Sequence, residues 1–149
     1  MKISSQYLAG VLDSDGSLSI NRTLNHGKTR QYRPVFQLTW KYIDETMKIM
    51  EYLKEKYGGS VFIEKSKKKL NMNGHYLAYK LDSKGLKQLL KEIRPYLLIK
   101  YKQCDLLIEL LNTLKGKGTR PSEEVWERRK QLYEECKKIN HMIKEVVSG

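Results

Sequence analysis

The sequence has few cysteines and no long apolar segment. Its 149 residues include two cysteines, Cys104 and Cys136, whose spacing matches no metal-binding or redox motif, so we expect two free thiols in a reducing compartment. No apolar run approaches the roughly 20 residues of a membrane-spanning helix, and Met1-Lys2 is not followed by a signal-type apolar core. These absences predict a soluble, intracellular protein without a membrane partner. The length predicts one domain over residues 1–149.

Acidic residues are missing from two long stretches of the chain. The sequence has 29 Lys+Arg against 17 Asp+Glu, a net charge of +12. Residues 16–43 contain no acid, and residues 60–81 contain only Glu64 among several lysines. Acids and bases are equal in number in residues 121–149, so the excess positive charge lies before them. A field of this sign favours a polyanionic partner, and two acid-poor segments with strand-like alternation indicate one surface that faces nucleic acid.

A short apolar segment near the amino terminus predicts the first helix. One of the two serines at 4–5 supplies a cap, and residues 7–12 are apolar on nearly every side. A helix without a polar face has to be covered all round, and the small residues Ala9 and Gly10 let another backbone approach closely. We therefore expect this helix to pack against another helix, which could belong to the same chain or to a second one. Residues 13–16 end the helix and turn the chain.

Period-two alternation follows this turn. Residues 17–25 and 31–40 alternate between apolar and polar side chains, which predicts a long β-hairpin with a glycine-containing turn. The apolar side chains should face the core; they are Leu18, Ile20, Leu24, Tyr32, Phe36, Leu38 and Trp40. The hairpin residues that we expect to contact nucleic acid are Ser17, Ser19, Asn21, Arg22, Thr23, Asn25, Lys28, Arg30, Gln31, Arg33, Val35, Gln37 and Thr39.

A second helix and a second hairpin follow. Asp44 is expected to cap a helix that runs through about Tyr57 and is closed by two glycines. The second hairpin joins "SVFIEKS" to "HYLAYKL" through a basic turn, whose members Lys65, Lys67 and Lys68 are suited to phosphate contacts. Alternation does not decide which face of residues 75–81 joins the nucleic-acid surface.

The remaining segments are helical and complete an α+β fold. Helices are predicted from Ser83 to before Pro95, from about Leu98 to Leu114, and over residues 123–147 after a linker at 115–122. Residues 1–114 form a core of order αββαββα, to which the C-terminal helix is added. This order predicts an antiparallel sheet with helices on one face and an open, polar, basic surface on the other.

The segment "LAGVLDSDGS" (residues 8–17) resembles the signature of the LAGLIDADG homing endonucleases. The resemblance extends through the αββαββα order to "RPYLLIKYKQ" (residues 94–103), which is similar to the region that supplies a basic residue to the active site of this family. One motif copy implies the single-motif branch, whose members form homodimers with a DNA-binding saddle. The resemblance implies that two motif helices pack together at the dimer axis through Leu8, Ala9, Gly10, Val11 and Leu12.

The resemblance also implies roles for residues at the end of the motif helix. Asp15 matches the acid that binds metal, the backbone carbonyl of Ser14 matches a second ligand, and Asp13 has a structural role. Lys100 matches the active-site lysine, with Lys102 as the alternative. One departure is Trp40, which stands where close relatives carry a polar residue after Gln-x-Thr; it either packs on the core or alters the solvent around the metal.

Elementary chemistry is consistent with a metal at this position. Phosphodiester hydrolysis needs neutralised charge and an activated water, and hard oxygen ligands that hold Mg²⁺ supply both. An EF-hand loop beginning at Asp13 is excluded, because it would need glycine at Leu18 and glutamate at Leu24. We expect Mg²⁺ as cofactor, with Mn²⁺ substituting and Ca²⁺ supporting binding without cleavage.

The sequence therefore predicts a metal-dependent endodeoxyribonuclease. It would act as a homodimer on double-stranded DNA and cut a long pseudo-palindromic site, as homing endonucleases encoded by mobile introns do. Two alternatives stay open: an RNA-binding intron maturase on the same scaffold, and a DNA-binding regulator that does not cleave. Asp15 and Lys100 together argue against the regulator, which has little use for a carboxylate at the DNA.

Overall fold

The order of helices and strands is the predicted one. A computed structural model describes residues 1–65, 75–82, 84–114 and 121–148. The elements are α1 (Ser5–Ser14), β1 (Gly16–Asn25), β2 (Lys28–Lys41), α2 (Asp44–Tyr57), β3 (Ser60–Lys65), β4 (His75–Leu81), α3 (Leu86–Ile93), α4 (Tyr101–Thr113) and α5 (Glu123–Ser148), with a 3₁₀ turn at Arg94–Tyr96. Within these ranges no helix is both long and apolar enough to cross a bilayer.

The strands form a four-stranded antiparallel sheet in the order β1-β2-β4-β3. Left-handed backbone at His26 (φ 51°) and Gly27 (φ 78°) closes the β1–β2 turn. The register shifts at Thr23/Leu24, and Arg30 is the extra residue of β2 at this irregularity. From Asn21 onwards every residue of β1 is exposed, so this hairpin projects beyond the core.

The core lies between one face of the sheet and the helices. α4 and α5 pack on β1 and β2, whereas α2 packs on β3 and β4. Leu38, Leu77 and Tyr79 are fully buried on this face, and the rings of Phe36 and Tyr79 meet edge to face with centroids 5.9 Å apart. The predicted α+β fold, with helices on one face of an antiparallel sheet, is confirmed.

Helix α5 covers the free edge of β1. The side-chain amide of Asn140 donates to the carbonyl of Leu18 at 3.1 Å, and the thiol of Cys136 lies 3.9 Å from the same oxygen. Further along, the ring of Tyr32 packs against Trp126 and Tyr133 of α5. The carbonyl that an edge strand would expose is thereby satisfied within the chain.

Several predicted details of the core and of the helix ends are wrong. Leu24 is 57% exposed, because the hairpin extends past the residues that the helices cover. Asp44 is the first residue of α2 rather than its cap; the hydroxyl of Thr46 accepts the Ile43 N–H at 3.2 Å instead. Helix α1 continues to Ser14, and α4 begins at Tyr101 rather than Leu98. Ser83, the predicted start of α3, and residues 115–120 of the linker lie outside the described residues.

Candidate functional site

The polar face of the β1–β2 hairpin is assembled by its register. Ser17 pairs with Gln37, Asn21 with Arg33 and Thr23 with Gln31, and directly opposed residues of antiparallel strands project to the same face. Ser19 and Thr39 alternate onto this face as well. We call the sheet surface opposite the helices the open face; its hairpin members carry hydroxyl, amide and guanidinium groups.

The register also assigns β4, which the alternation left undecided. Thr39 pairs with Ala78, Gln37 with Lys80 and Lys41 with Tyr76. Tyr76, Ala78 and Lys80 therefore belong to the open face, and the residues between them face the core.

Two predicted nucleic-acid contacts are not available on the open face. Arg22 pairs with the buried Tyr32 and projects to the helix side, where its guanidinium lies 5.2 Å from the ring centroid of Tyr133. Val35 does share the open face, but it is 3% exposed and packs among its neighbours. The Arg22 assignment is corrected because this exposed side chain lies on the helix side of the strand, and the Val35 assignment is corrected because Val35 is buried.

The other predicted contacts lie at the ends of the hairpins. Asn25 and Lys28 pair at the tip of the first hairpin, and both are exposed. Arg30 lies in β2 and Lys65 is the last residue of β3. Lys67 and Lys68 lie outside the described residues.

Asp13 anchors the loop that leads into α4. One carboxylate oxygen accepts the backbone N–H groups of Leu98 at 2.8 Å and Ile99 at 3.3 Å, and the other accepts that of Lys100 at 2.9 Å. The carboxylate thus supplies acceptors to N–H groups at and just before the start of α4, where the helix dipole also favours an anion. This is the structural role expected for Asp13.

The side chain of Lys100 lies across the end of α1. Its ammonium donates to the carbonyl of Leu12 at 2.9 Å and to the carbonyl of Gly16. Burial lowers the pKa of Lys100, while the nearby carboxylates of Asp13 and Asp15 raise it by a smaller amount. A half-buried cation is therefore held beside Asp15, whereas Lys102, the alternative candidate, is exposed in the first turn of α4.

Asp15 stands at the junction of α1 and β1 and is exposed. Its Oδ2 accepts the indole N–H of Trp40 at 3.0 Å. Trp40 also packs, partly buried, against the hydrophobic core. Core packing, one of the two possibilities raised for Trp40, is confirmed, and the contact with Asp15 is additional to it. An effect of Trp40 on the solvent around a metal stays a prediction. The hydrogen bond itself had no signal in the sequence, because the two residues are 25 positions apart in different elements.

The donor set at the end of α1 fits a hard divalent cation by type. Asp15 offers a carboxylate, and the last carbonyls of a helix, including that of Ser14, lack intrahelical partners and form the negative pole of its dipole. Among the described residues, no three His, Cys, Asp or Glu side chains cluster as a metal site. A cation here would need further oxygens, such as those of phosphate or of a second copy.

One side of α1 is uncovered. Leu8, Ala9 and Leu12 are buried in the core of their own chain, so the expectation that they meet a second helix is wrong. Gly10 is exposed, and among the described residues no atom outside the neighbouring helix backbone lies within 4 Å of the position a Cβ would take; Tyr7 is 50% exposed. Val11 is half-buried. Leu98 and Ile99, whose apolar composition predicted a place inside a helix, are 83% and 60% exposed beside the end of α1.

These features define a nucleic-acid-processing α+β domain, in which an open polar sheet leads to an acid beside a half-buried lysine. The chain belongs to the LAGLIDADG endonuclease family, since the family model matches residues 8–108, more than half of its length. Membership assigns the chain to a class of nucleases that cleave DNA.

Solved structures share the fold at low sequence identity. The archaeal intron-encoded homing endonuclease I-Vdi141I, complexed with DNA, is 22% identical, with 91% of this chain and 82% of that one covered and a TM-score of 0.67. I-CvuI, in complex with its target in the presence of Ca, is 20% identical over 86% of this chain and 93% of its own, with a TM-score of 0.57. I-GzeII, a LAGLIDADG homing endonuclease in complex with its DNA target, is 24% identical over 89% of this chain but 44% of its own, with a TM-score of 0.64. Compared with curated protein sequences, the chain has no match.

Proposed function

We propose that two copies of this chain bind double-stranded DNA along their open faces and cut both strands at a specific site with Mg²⁺. The observation that carries the proposal is the exposed Asp15 carboxylate, which lies at the start of the open face beside the half-buried ammonium of Lys100. A carboxylate alone would repel DNA, whereas a carboxylate that holds a cation attracts phosphate. An acid at this position is therefore useful to a nuclease and costly to a protein that only binds.

Each residue of the site has a separate task. Asp15 and the Ser14 carbonyl would hold Mg²⁺, which supplies charge neutralisation at the scissile phosphate and lowers the pKa of a bound water. Lys100 places a positive charge where negative charge develops during hydrolysis, and its bonds to two carbonyls keep it there. Asp13 keeps Lys100 in position through the backbone of the same residue.

The open face is suited to reading a DNA groove. Arg33 and Asn21 are opposed on the hairpin, and guanidinium and amide groups form bidentate contacts with purine edges in the major groove. Ser17, Thr23 and Gln37 add hydroxyl and amide groups that can donate and accept hydrogen bonds. We assign the basic turn at residues 65–68 to phosphate contacts, whose strength depends on salt concentration.

We propose that the homodimer packs through the uncovered side of α1. Tyr7 and Gly10 on α1, and Leu98 and Ile99 beside its carboxyl-terminal end, present exposed apolar or small groups. Packing two copies of this surface would bury them and bring two Asp15 carboxylates together, and a two-fold pair would read a pseudo-palindromic target.

I-Vdi141I and I-CvuI, which share the fold, were solved bound to DNA, the latter in the presence of Ca. We propose Mn²⁺ as a substitute cofactor, Ca²⁺ as an ion that supports binding only, and an intracellular location.

The test is cleavage of a random DNA library. The purified protein is incubated with the library and Mg²⁺, and the new ends are sequenced; we expect one pseudo-palindromic consensus. Asp15→Asn is the control and should give no ends. Tight binding of DNA without any cleavage would favour the regulator. Preferential binding of structured intron RNA, again without cleavage of DNA, would favour the maturase.

A further inference from the structure

The acid at the end of α1 has a partner of unusual type. Trp40 lies near the end of β2 and reaches across to Asp15, with 3.0 Å between Nε1 and Oδ2. The tryptophan is partly buried and packs against the hydrophobic core, so its ring is held on one side by apolar neighbours. A donor fixed in this way restricts the rotation of a carboxylate that is otherwise exposed.

Lys100, the cation near Asp15, does not form the hydrogen bond that Trp40 makes with the carboxylate. The ammonium of Lys100 bonds to the carbonyls of Leu12 and Gly16, and no ion pair joins it to Asp15 within the described ranges. An indole N–H donates one hydrogen bond, accepts none and cannot bind a metal. Trp40 therefore bonds to one oxygen of Asp15 without competing for the cation. Among the described residues the other oxygen accepts no hydrogen bond, so it is available as a ligand.

We propose that Trp40 is a positioning residue for the metal acid. It holds Asp15 in one orientation through Oδ2 and leaves Oδ1 to bind the divalent cation. Hydrogen-bond partners of metal ligands orient them, and losing such a partner typically weakens metal affinity about 10–100-fold. The inference rests on the proposed role of Asp15 and adds to it the residue that orients the carboxylate.

The experiment measures Mn²⁺ binding to the intact protein in the presence of one fixed concentration of double-stranded DNA, whose phosphates supply the further oxygens that the site needs. Electron paramagnetic resonance gives the concentration of free Mn²⁺. Four proteins are compared: the parent, Trp40→Phe, Asp15→Asn and Trp126→Phe. Trp126→Phe is the matched control, because Trp126 packs on Tyr32 away from the site. We expect Asp15→Asn to lose the site, Trp40→Phe to weaken it at least about tenfold, and Trp126→Phe to bind like the parent.

Each of the other possible results overturns either the role of Trp40 or the assignment of Asp15 as a metal ligand. Equal affinity of Trp40→Phe and the parent, with the site lost in Asp15→Asn, overturns the role of Trp40 but leaves the metal acid in place. Equal affinity of Asp15→Asn and the parent overturns the metal assignment in the proposed function, and the role of Trp40 with it.

A second measurement separates the hydrogen bond from packing. In ¹⁵N-labelled protein the Trp40 indole N–H resonance should move upfield in Asp15→Asn, while that of Trp126 stays in place. If Trp40→Phe does not fold, a benzothiophene side chain at position 40 keeps the ring shape and removes the N–H. This side chain should also weaken Mn²⁺ binding at least about tenfold; parent-like affinity overturns the inference.

Discussion

The carboxylate of Asp13 and the backbone N–H of Lys100 are joined by a hydrogen bond of 2.9 Å across 87 positions of sequence. The side chain of the same lysine makes a second contact, because its ammonium donates to the carbonyl of Leu12, the neighbour of Asp13. The end of α1 and the start of α4 are therefore held together from both sides. The candidate acid Asp15 and the candidate cation Lys100 owe their proximity to this junction.

Removing the Asp13 carboxylate should destabilise the protein. Asp13→Ala leaves three backbone N–H groups without their charged acceptor, and we expect the free energy of unfolding to fall by about 1–3 kcal/mol. Asp13→Asn keeps one acceptor oxygen and should cost less, with stability affected more than chemistry. Urea titrations followed by circular dichroism measure both. Unfolding of Asp13→Ala at the parent's urea concentration would contradict the anchoring role.

Removing the charge of Asp15 should separate cleavage from binding. Asp15→Asn keeps the shape of the side chain but holds Mg²⁺ poorly, so the cleavage rate should fall by several orders of magnitude. DNA affinity should survive, because specificity lies in the hairpins and a carboxylate beside phosphates is repelled. A gel-shift titration in Ca²⁺ and a cleavage time course in Mg²⁺ measure the two effects. Cleavage at the parent rate would transfer the metal assignment to Asp13.

Lys100 should affect both chemistry and the pH dependence of folding. Lys100→Met should slow cleavage without weakening DNA binding in Ca²⁺. Because burial lowers the pKa of Lys100 below its usual 10.5, the unfolded state binds more protons between the folded-state pKa and 10.5. The parent's stability relative to Lys100→Met should therefore rise as the pH increases through that window. Urea titrations at several alkaline pH values, without DNA or metal, measure the difference; a fall would reverse the sign of the burial effect.

Gly10 offers a way to test the dimer without disturbing the protomer. In the part of the chain that the structure describes, a Cβ at this position meets no atom within 4 Å outside the neighbouring helix backbone, and most residues favour a helix over glycine by roughly 0.3–1 kcal/mol. Gly10→Gln should therefore fold at least as stably as the parent yet fail to dimerise, since the new side chain separates the two helices. Sedimentation at micromolar concentration with DNA present gives the oligomeric state. A dimer of Gly10→Gln with parent affinity would move the interface elsewhere.

Arg33 and Arg22 lie on opposite faces of the β1–β2 hairpin, so one can be tested with the other as its control. Arg33→Ala should relax base preference at one or two positions in each half-site, each good bidentate contact being worth about 1–3 kcal/mol of discrimination. Arg22→Ala removes the guanidinium over Tyr133 and should leave base preference unchanged. Cleavage-site selection with both variants provides the comparison. If Arg33→Ala weakened all sequences equally, Arg33 would be assigned to the DNA backbone.

Much of the fold was predictable from local patterns. Period-two alternation placed Leu18 on the core side and Ser17 on the open face, because successive side chains of any strand project to opposite faces. The serine before an apolar run predicted the start of α1, where the hydroxyl of Ser4 accepts the N–H of Tyr7 at 3.1 Å. The motif residues around Asp15 were visible for the same reason, since they are adjacent in the chain.

At the candidate site, the failures concern contacts between residues far apart in the chain. Arg22 projects to the helix side, where its guanidinium lies over the ring of Tyr133, and the hydrogen bond from Trp40 to Asp15 joins two elements. Leu98 has the composition of a helix residue, yet Asp13 holds its backbone in the loop before α4. Local pattern sets which way a side chain projects, because that depends on the backbone of its own element. Which partner it meets depends on how elements pack, and only the tertiary structure decides that.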